Sequence, residues 1–150
     1  EVHPKLASIL YALDRGMVAD EMTGHLESGH YILCDRYIES NITYQQAKLP
    51  EKEREEFFKW LTDLEHNELR VPVSDAVLFL RVPVDISRTN MDNREELDGH
   101  EENQNYQQEV LRSYESLAKD SDKWTIIDCT NNGEMCSREE IHKEIYQAIQ

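Results

Sequence analysis

At 150 residues the chain is long enough for one domain with a buried core, and its 39% apolar and 31% charged residues are those of a globular protein in water. A formal net charge of −15 argues against a nucleic-acid partner, which requires a basic surface, but leaves room for a nucleotide, whose phosphate group needs only a few local Arg side chains. No run approaches the roughly eighteen apolar residues of a membrane span and no leader pattern is visible, so a cytoplasmic protein with no membrane partner is expected.

In chain order, Leu6, Ile9, Leu10, Leu13 and Met17 recur at helical spacing, and Leu26 extends the pattern before Gly29 stops it, which predicts one long helix from about Pro4 to Ser28. Leu6, Leu10, Leu13 and Met17 form a narrow stripe suited either to the core or to a second copy, while Tyr11 and Arg15 lie one turn apart on another face. The apolar run Tyr31-Ile32-Leu33-Cys34 predicts a buried strand, and Ile38 to Ala47 a helix. Pro50 and the acidic residues after it start a further helix whose core face is Phe57, Phe58, Trp60, Leu61 and Leu64. Ala76 to Val82 predicts a second strand, and Pro83 opens a short helix to about Asp92. Residues 93–102 are polar and lack an apolar period, so a loop is expected there. Tyr106, Val110, Tyr114 and Leu117 mark a helix, Thr125 to Ile127 a third strand, and Ser137 with Glu140 the capping box of the last helix. Strands alternating with helices predict an α/β fold with a parallel sheet flanked by helices, in a single domain over 1–150. Cys34, Cys129 and Cys136 have no metal-ligand spacing; Cys34 and Cys129 lie in apolar runs and are expected to be buried, reduced thiols.

Four groups of residues have chemical potential. Asp35 and Arg36 end an apolar run, where ligands bind in open parallel sheets, and Ser40, Asn41 and Tyr44 follow. With a helix starting near Tyr37, Arg36, Ser40 and Tyr44 share a side and Asn41 stands beside them, a set that suits a nucleoside monophosphate or merely a solvated helix start. Tyr11 and Arg15 suit a planar base, though such pairs are more often packing. Arg88 and Arg94, with Asp98, His100 and Glu101 nearby, read as a cationic lid over phosphates or as an acidic solvated loop. Ile127 to Gly133 is either a base-holding loop or a plain turn. No His, Cys or carboxylate set has the spacing of a protein metal site.

Three stretches resemble the thymidylate kinases, P-loop enzymes that transfer a phosphoryl group from ATP to deoxythymidine monophosphate. Ile9 to Arg15 (ILYALDR) is similar to the family's aromatic-to-Arg helix. Cys34 to Tyr44 (CDRYIESNITY) resembles its Asp-Arg-Tyr segment with Ser, Asn and Tyr at the same offsets, and Leu78 to Ser87 (LFLRVPVDIS) its strand-Val-Pro segment. The resemblance implies a three-layer P-loop kinase sheet, ATP and magnesium as cofactors, small-molecule substrates, and homodimers. It implies catalytic roles for Asp35, Arg36 and Arg94. Arg36 would hold the monophosphate, with Asp35 near magnesium. Tyr11 would stack on thymine, Arg15 would contact its edge or a phosphate, and Asn41 would hydrogen-bond it. Tyr44 would lie against the sugar, Ser40 completes the substrate set, and Arg88 and Arg94 belong to an ATP-facing lid at about 88–102. Arg81 departs from the acidic or neutral residue usual before Val-Pro. The sequence contains no G-x-x-x-x-G-K-[ST], so it is expected to correspond to the C-terminal three-quarters or so of such a kinase, a fold incomplete at its N-terminus. Two other readings stay open: a deoxynucleoside kinase of related fold, and a catalytically inactive nucleotide-binding or scaffolding homologue.

Overall fold

Apolar periodicity and capping residues account for most of the backbone. In a computed structural model describing residues 2–91, 104–119 and 121–150, the chain divides into two compact units, Glu1–Ser74 and Asp75–Gln150. Parallel strands flanked by helices make it a mixed α/β protein, as the alternation predicts.

The first unit is helical: α1 (Pro4–Gly16), α2 (Ala19–Glu27), α3 (Ile38–Gln46) and α4 (Glu51–Asp63), the last running into a π-helical turn, Leu64–Glu68. The single long helix expected over Pro4 to Ser28 is two. It breaks after Gly16, a poor helix former, where Val18 leaves helical geometry at φ −113°, ψ 5°. Helix α2 ends as Gly29 predicts. Gly29 adopts φ 82°, its N–H donates to Leu26 O at 2.9 Å, and His30 N–H donates to His25 O at 3.1 Å, the paired bonds of a Schellman cap.

Helix α1 packs on α3 through its small residues, Ser8 and Ala12, both fully buried. The expected Leu6, Leu10, Leu13 and Met17 stripe is not core in this unit: all four are exposed, Met17 by 85%. Phe57 and Leu61 on α4 are buried with Ala12, Ala19, Ile38, Ile42 and Val71 to form the core.

The buried strand expected over 31–34 is absent. Residues 31–34 form no ladder, Tyr31 and Leu33 are almost wholly exposed, and Cys34, expected buried, is exposed. A strand covered on both faces needs neighbours in the sheet, and among the described residues the first unit contains no strand to pair with it.

In the second unit β1 (Val77–Arg81) and β2 (Trp124–Asp128) pair in parallel, from Val77 opposite Trp124 to Arg81 opposite Asp128. Helices α5 (Val84–Met91), α6 (Gln104–Lys119) and α7 (Arg138–Ala148) complete it, with a two-residue hairpin between β3 (Thr130–Asn131) and β4 (Glu134–Met135). Phe79 on β1 stacks on Tyr114 of α6, ring centroids 4.9 Å apart, and meets Trp124 edge-on at 6.4 Å. Val110, Ile127 and Cys129 are buried too. Ser137 and Glu140 form the expected reciprocal capping box on α7. Asn132 and Gly133 both have positive φ, as a two-residue type I′ hairpin requires, so the stretch after β2 is a turn.

Because Phe79 packs against two other aromatic rings, Phe79→Ala is expected to destabilise the second unit by about 3 kcal/mol. Urea unfolding followed by Trp124 fluorescence reads the change, and a loss under about 1 kcal/mol would contradict this account of the core.

Candidate functional site

A carboxylate organises the first unit. Glu65, in the π-helical turn, has no exposed surface. Arg15 Nε–H donates to its Oε2 at 2.6 Å and Arg15 Nη2 pairs with its Oε1, a two-pronged ion pair across fifty residues of chain. Asn41 Nδ2 donates to the same Oε1 at 3.1 Å and to Ser8 O at 3.1 Å. One acid thus joins α1, α3 and the turn after α4.

The local geometry has sequence causes. Phe57, Leu61 and Glu65 recur every four residues, so Glu65 continues the buried stripe of α4. The π-turn closes with Leu69 N–H donating to Leu64 O at 2.9 Å, and Val71 N–H donates to Glu65 O at 2.8 Å. On α3, Ile38, Asn41, Ile42 and Gln45 share the inward face, which buries Asn41 to 5% exposure. Its Oδ1 has no donor among the described residues. An unpaired buried acceptor costs about 1–3 kcal/mol, a cost that a donor reaching this oxygen would offset.

The expected substrate residues divide into two groups. Arg15 and Asn41 are drawn together by Glu65, and the Arg15 guanidinium lies 6.0 Å from the Tyr37 ring centroid. Arg36 and Tyr44 also meet, with the exposed guanidinium 5.2 Å from the ring centroid. Ser40 is half-buried on α3 between them in sequence, Tyr11 is 56% exposed on α1, and Asp35 is exposed. Arg36 has φ 64°, the left-handed region that a branched or long side chain adopts at a cost of about 1–3 kcal/mol. Arg70, also exposed, shares this left-handed backbone at φ 57°.

Sequence reading missed Glu65 and Tyr37. Glu65 was detectable as an acid at core spacing after Leu61. Tyr37 O–H donates to Pro72 O at 2.8 Å. Burial pushes its phenol up to about 12, with the thiol of Cys34, Glu65 and Glu39 adding to the rise and Arg15 opposing it.

In the second unit Arg88 lies on α5, and its side chain is outside the described residues, as are Arg94, Asp98, His100, Glu101 and most of the expected lid. Arg81 grips Asp128 with two bonds, 2.6 and 2.7 Å, where the paired strands end. Its hydrogen bonds hold the Asp128 carboxyl below its ordinary value. Among the described residues no group of three or more His, Cys, Asp or Glu side chains gathers as a metal would need, and no helix is long and apolar enough to cross a membrane.

Since the folded phenol of Tyr37 keeps its proton from about pH 10, where an unfolded one loses it, to about 12, its contribution to stability is complete below pH 10 and is lost across that interval. Unfolding free energies measured across the alkaline range are expected to fall less steeply for Tyr37→Phe than for the parent chain. Identical alkaline slopes would show that this phenol is not the titrating group.

A family model described as thymidylate kinase matches residues 1–145. The chain is 32% identical to a thymidylate kinase of Nostoc sp. over 144 residues, covering 94% of this chain and 64% of that protein. It is 27% identical over 127 residues to one of Fervidobacterium nodosum, covering 83% of this chain and 58% of that protein. A probable thymidylate kinase of Thermococcus gammatolerans is 27% identical over 144 residues, covering 95% and 62%. The chain therefore spans less than two thirds of the length of these relatives. By this match over nearly its whole length, with Arg15, Arg36, Asn41 and Tyr44 on the helices and loop just described, the chain belongs to the thymidylate kinase family.

Proposed function

We propose that the chain forms the nucleotide-acceptor part of an enzyme that moves the γ-phosphoryl group of ATP to deoxythymidine monophosphate, giving the diphosphate. The observation that carries this reading is the pairing, within one unit, of a tethered base-reading set with a strained phosphate-reading cation: Arg15 and Asn41 on Glu65, and Arg36 over Tyr44.

In this reading Arg36 holds two oxygens of the acceptor phosphate through its planar fork. Tyr44 supports that guanidinium and lies against the sugar, with Ser40 on the same side of α3. The exposed ring of Tyr11 stacks on the base. An acceptor oxygen forms the new bond to the γ-phosphorus as the bond to the β-phosphate oxygen breaks, and ADP leaves. Little covalent work falls to the protein, so rate comes from alignment and from cations on the transferring group. Arg88 and Arg94 take that second task in a lid at about 88–102. No G-x-x-x-x-G-K-[ST] loop lies within the 150 residues.

Magnesium usually takes one or two carboxylates together with substrate phosphates and water. Asp35, an exposed carboxylate next to Arg36, fits such a single-ligand role. The ion supplies neutralisation of charge on the phosphates.

We further place residues 1–150 in one kinase domain, in the cytoplasm, and infer that two copies pair through the exposed Leu6, Leu10, Leu13 and Met17 stripe. Light scattering of the full-length protein tests the pairing: Leu10→Glu is expected to halve the molar mass, and an unchanged mass refutes this interface.

The function itself is tested by offering the full-length protein ATP, magnesium and either thymidine or its monophosphate. Turnover of the monophosphate is expected, and Arg36→Ala should lower kcat/KM about a hundredfold, the scale of a lost charge-assisted bidentate contact. Activity on thymidine alone would instead make it a deoxynucleoside kinase. Saturable binding without turnover would make it an inactive nucleotide-binding homologue.

A further inference from the structure

We propose that Glu65 is a positioning residue that sets the hydrogen-bond polarity of the base pocket, and thereby selects a 4-oxo pyrimidine over a 4-amino pyrimidine. The proposal rests on the acceptor-nucleotide reading of this site and adds the residue that determines its specificity.

The Asn41 amide has one donor end and one acceptor end. Ser8 O and Glu65 Oε1 both lie 3.1 Å from Nδ2, and both are acceptors. Only the NH2 end can serve them, so the two together fix which way the amide faces. Oδ1 is left as a buried acceptor without a donor among the described residues. What this oxygen lacks is therefore an N–H. A ring nitrogen carrying hydrogen, as in a 4-oxo pyrimidine, supplies it; the corresponding nitrogen of a 4-amino pyrimidine is an acceptor and meets Oδ1 lone pair to lone pair.

Glu65 acts on Arg15 in the same direction. Both carboxylate oxygens are engaged by Arg15, through Nε and Nη2. The buried acid balances the guanidinium charge and fixes the plane of its fork. Nη1 on the far edge is not used in that pair, and the Arg15 side chain keeps 17% exposure. A guanidinium neutralised in this way is a poor trap for a phosphate and a well-aimed donor to a neutral carbonyl. Of the two contacts that resemblance offered for Arg15, base edge or phosphate, the ion pair favours the base edge. An acceptor at Asn41 and a donor at Arg15 match a base edge that shows N–H beside C=O. Sites that hydrogen-bond a substrate polar group reject analogues that leave those partners unpaired far better than apolar pockets sort by size.

The discriminating variant is Glu65→Gln in the full-length protein. The glutamine side chain keeps the volume and one acceptor oxygen, but its own NH2 faces Asn41 and favours the reversed amide. The measurement is kcat/KM for deoxythymidine monophosphate and for deoxycytidine monophosphate at saturating ATP, together with KM for ATP. The expected result is a fall of at least tenfold in the thymidine-to-cytidine preference, carried mainly by KM, with KM for ATP unchanged. Glu65→Asp, which retains both acceptor oxygens, is expected to keep most of the preference, and it serves as the test if the Gln variant does not fold. An equal fall for both pyrimidine substrates, or an unchanged ratio in Glu65→Gln, overturns the proposal and leaves Glu65 a structural acid. The parent protein checks the underlying reading separately: no phosphorylation of deoxythymidine monophosphate by it defeats both.

Discussion

A carboxylate with no contact with water is the constraint on which the first unit depends. Removing Glu65 and Arg15 from solvent costs several kcal/mol per ion, and the cost is offset only when geometry is good and the remaining hydrogen-bonding capacity is used. Here it is used: two bonds from Arg15, one from Asn41, and a further bond from Asn41 back to Ser8 of α1. The elements at this point are otherwise joined by small residues, Ser8 and Ala12 against α3, which bring backbones close but bury little apolar area. A buried ion pair is weak evidence of extra stability and better evidence of a chosen arrangement. Three elements distant in sequence meet with their polar atoms in one fixed order.

Local chemistry was readable in the sequence and long-range pairing was not. The stop at Gly29, the capping box at Ser137, the apolar face around Phe57 and Leu61 and the parallel strands around Phe79 and Ile127 each depend on residues within a turn or two, or on one apolar run. Arg36 and Tyr44 were legible as neighbours through their spacing, and they do meet. The run Tyr31 to Cys34 shows the limit of such reading. Composition reports that a segment favours burial; it does not report whether partners stand on both sides, and here the side chains of Tyr31 and Leu33 remain in solvent. The division of the first long helix at Gly16 was overlooked because a single Gly inside a helical pattern is commonly tolerated. Glu65 was hidden by its type. An acid after a hydrophobic stripe reads as the point where a helix returns to water, yet its four-residue step from Leu61 keeps it inside.

The second unit handles charge differently. Arg81 and Asp128 stand opposite each other at the ends of β1 and β2, both substantially exposed, and their bond is open to screening by salt. Its role is geometric: it marks the register of two parallel strands where the chain leaves for α5 on one side and for the hairpin on the other. The aromatic cluster of Phe79, Tyr114 and Trp124 beneath supplies the burial. In the first unit an ion pair is enclosed and ties three elements together; in the second one lies at the surface and marks a strand end.

The left-handed backbone at Arg36 has an evolutionary consequence. A φ of 64° is comfortable for Gly and tolerable for Asn or Asp, whereas the proposed grip on phosphate oxygens needs a fixed cation, found in Arg alone and only partly in Lys. The two filters, one on main-chain shape and one on side-chain charge, have almost no residue in common. Neutral drift at this position is therefore nearly closed: each single exchange gives up the cation or retains the strain without its reward. Diversity among descendants of this chain should accumulate around position 36 and seldom at it.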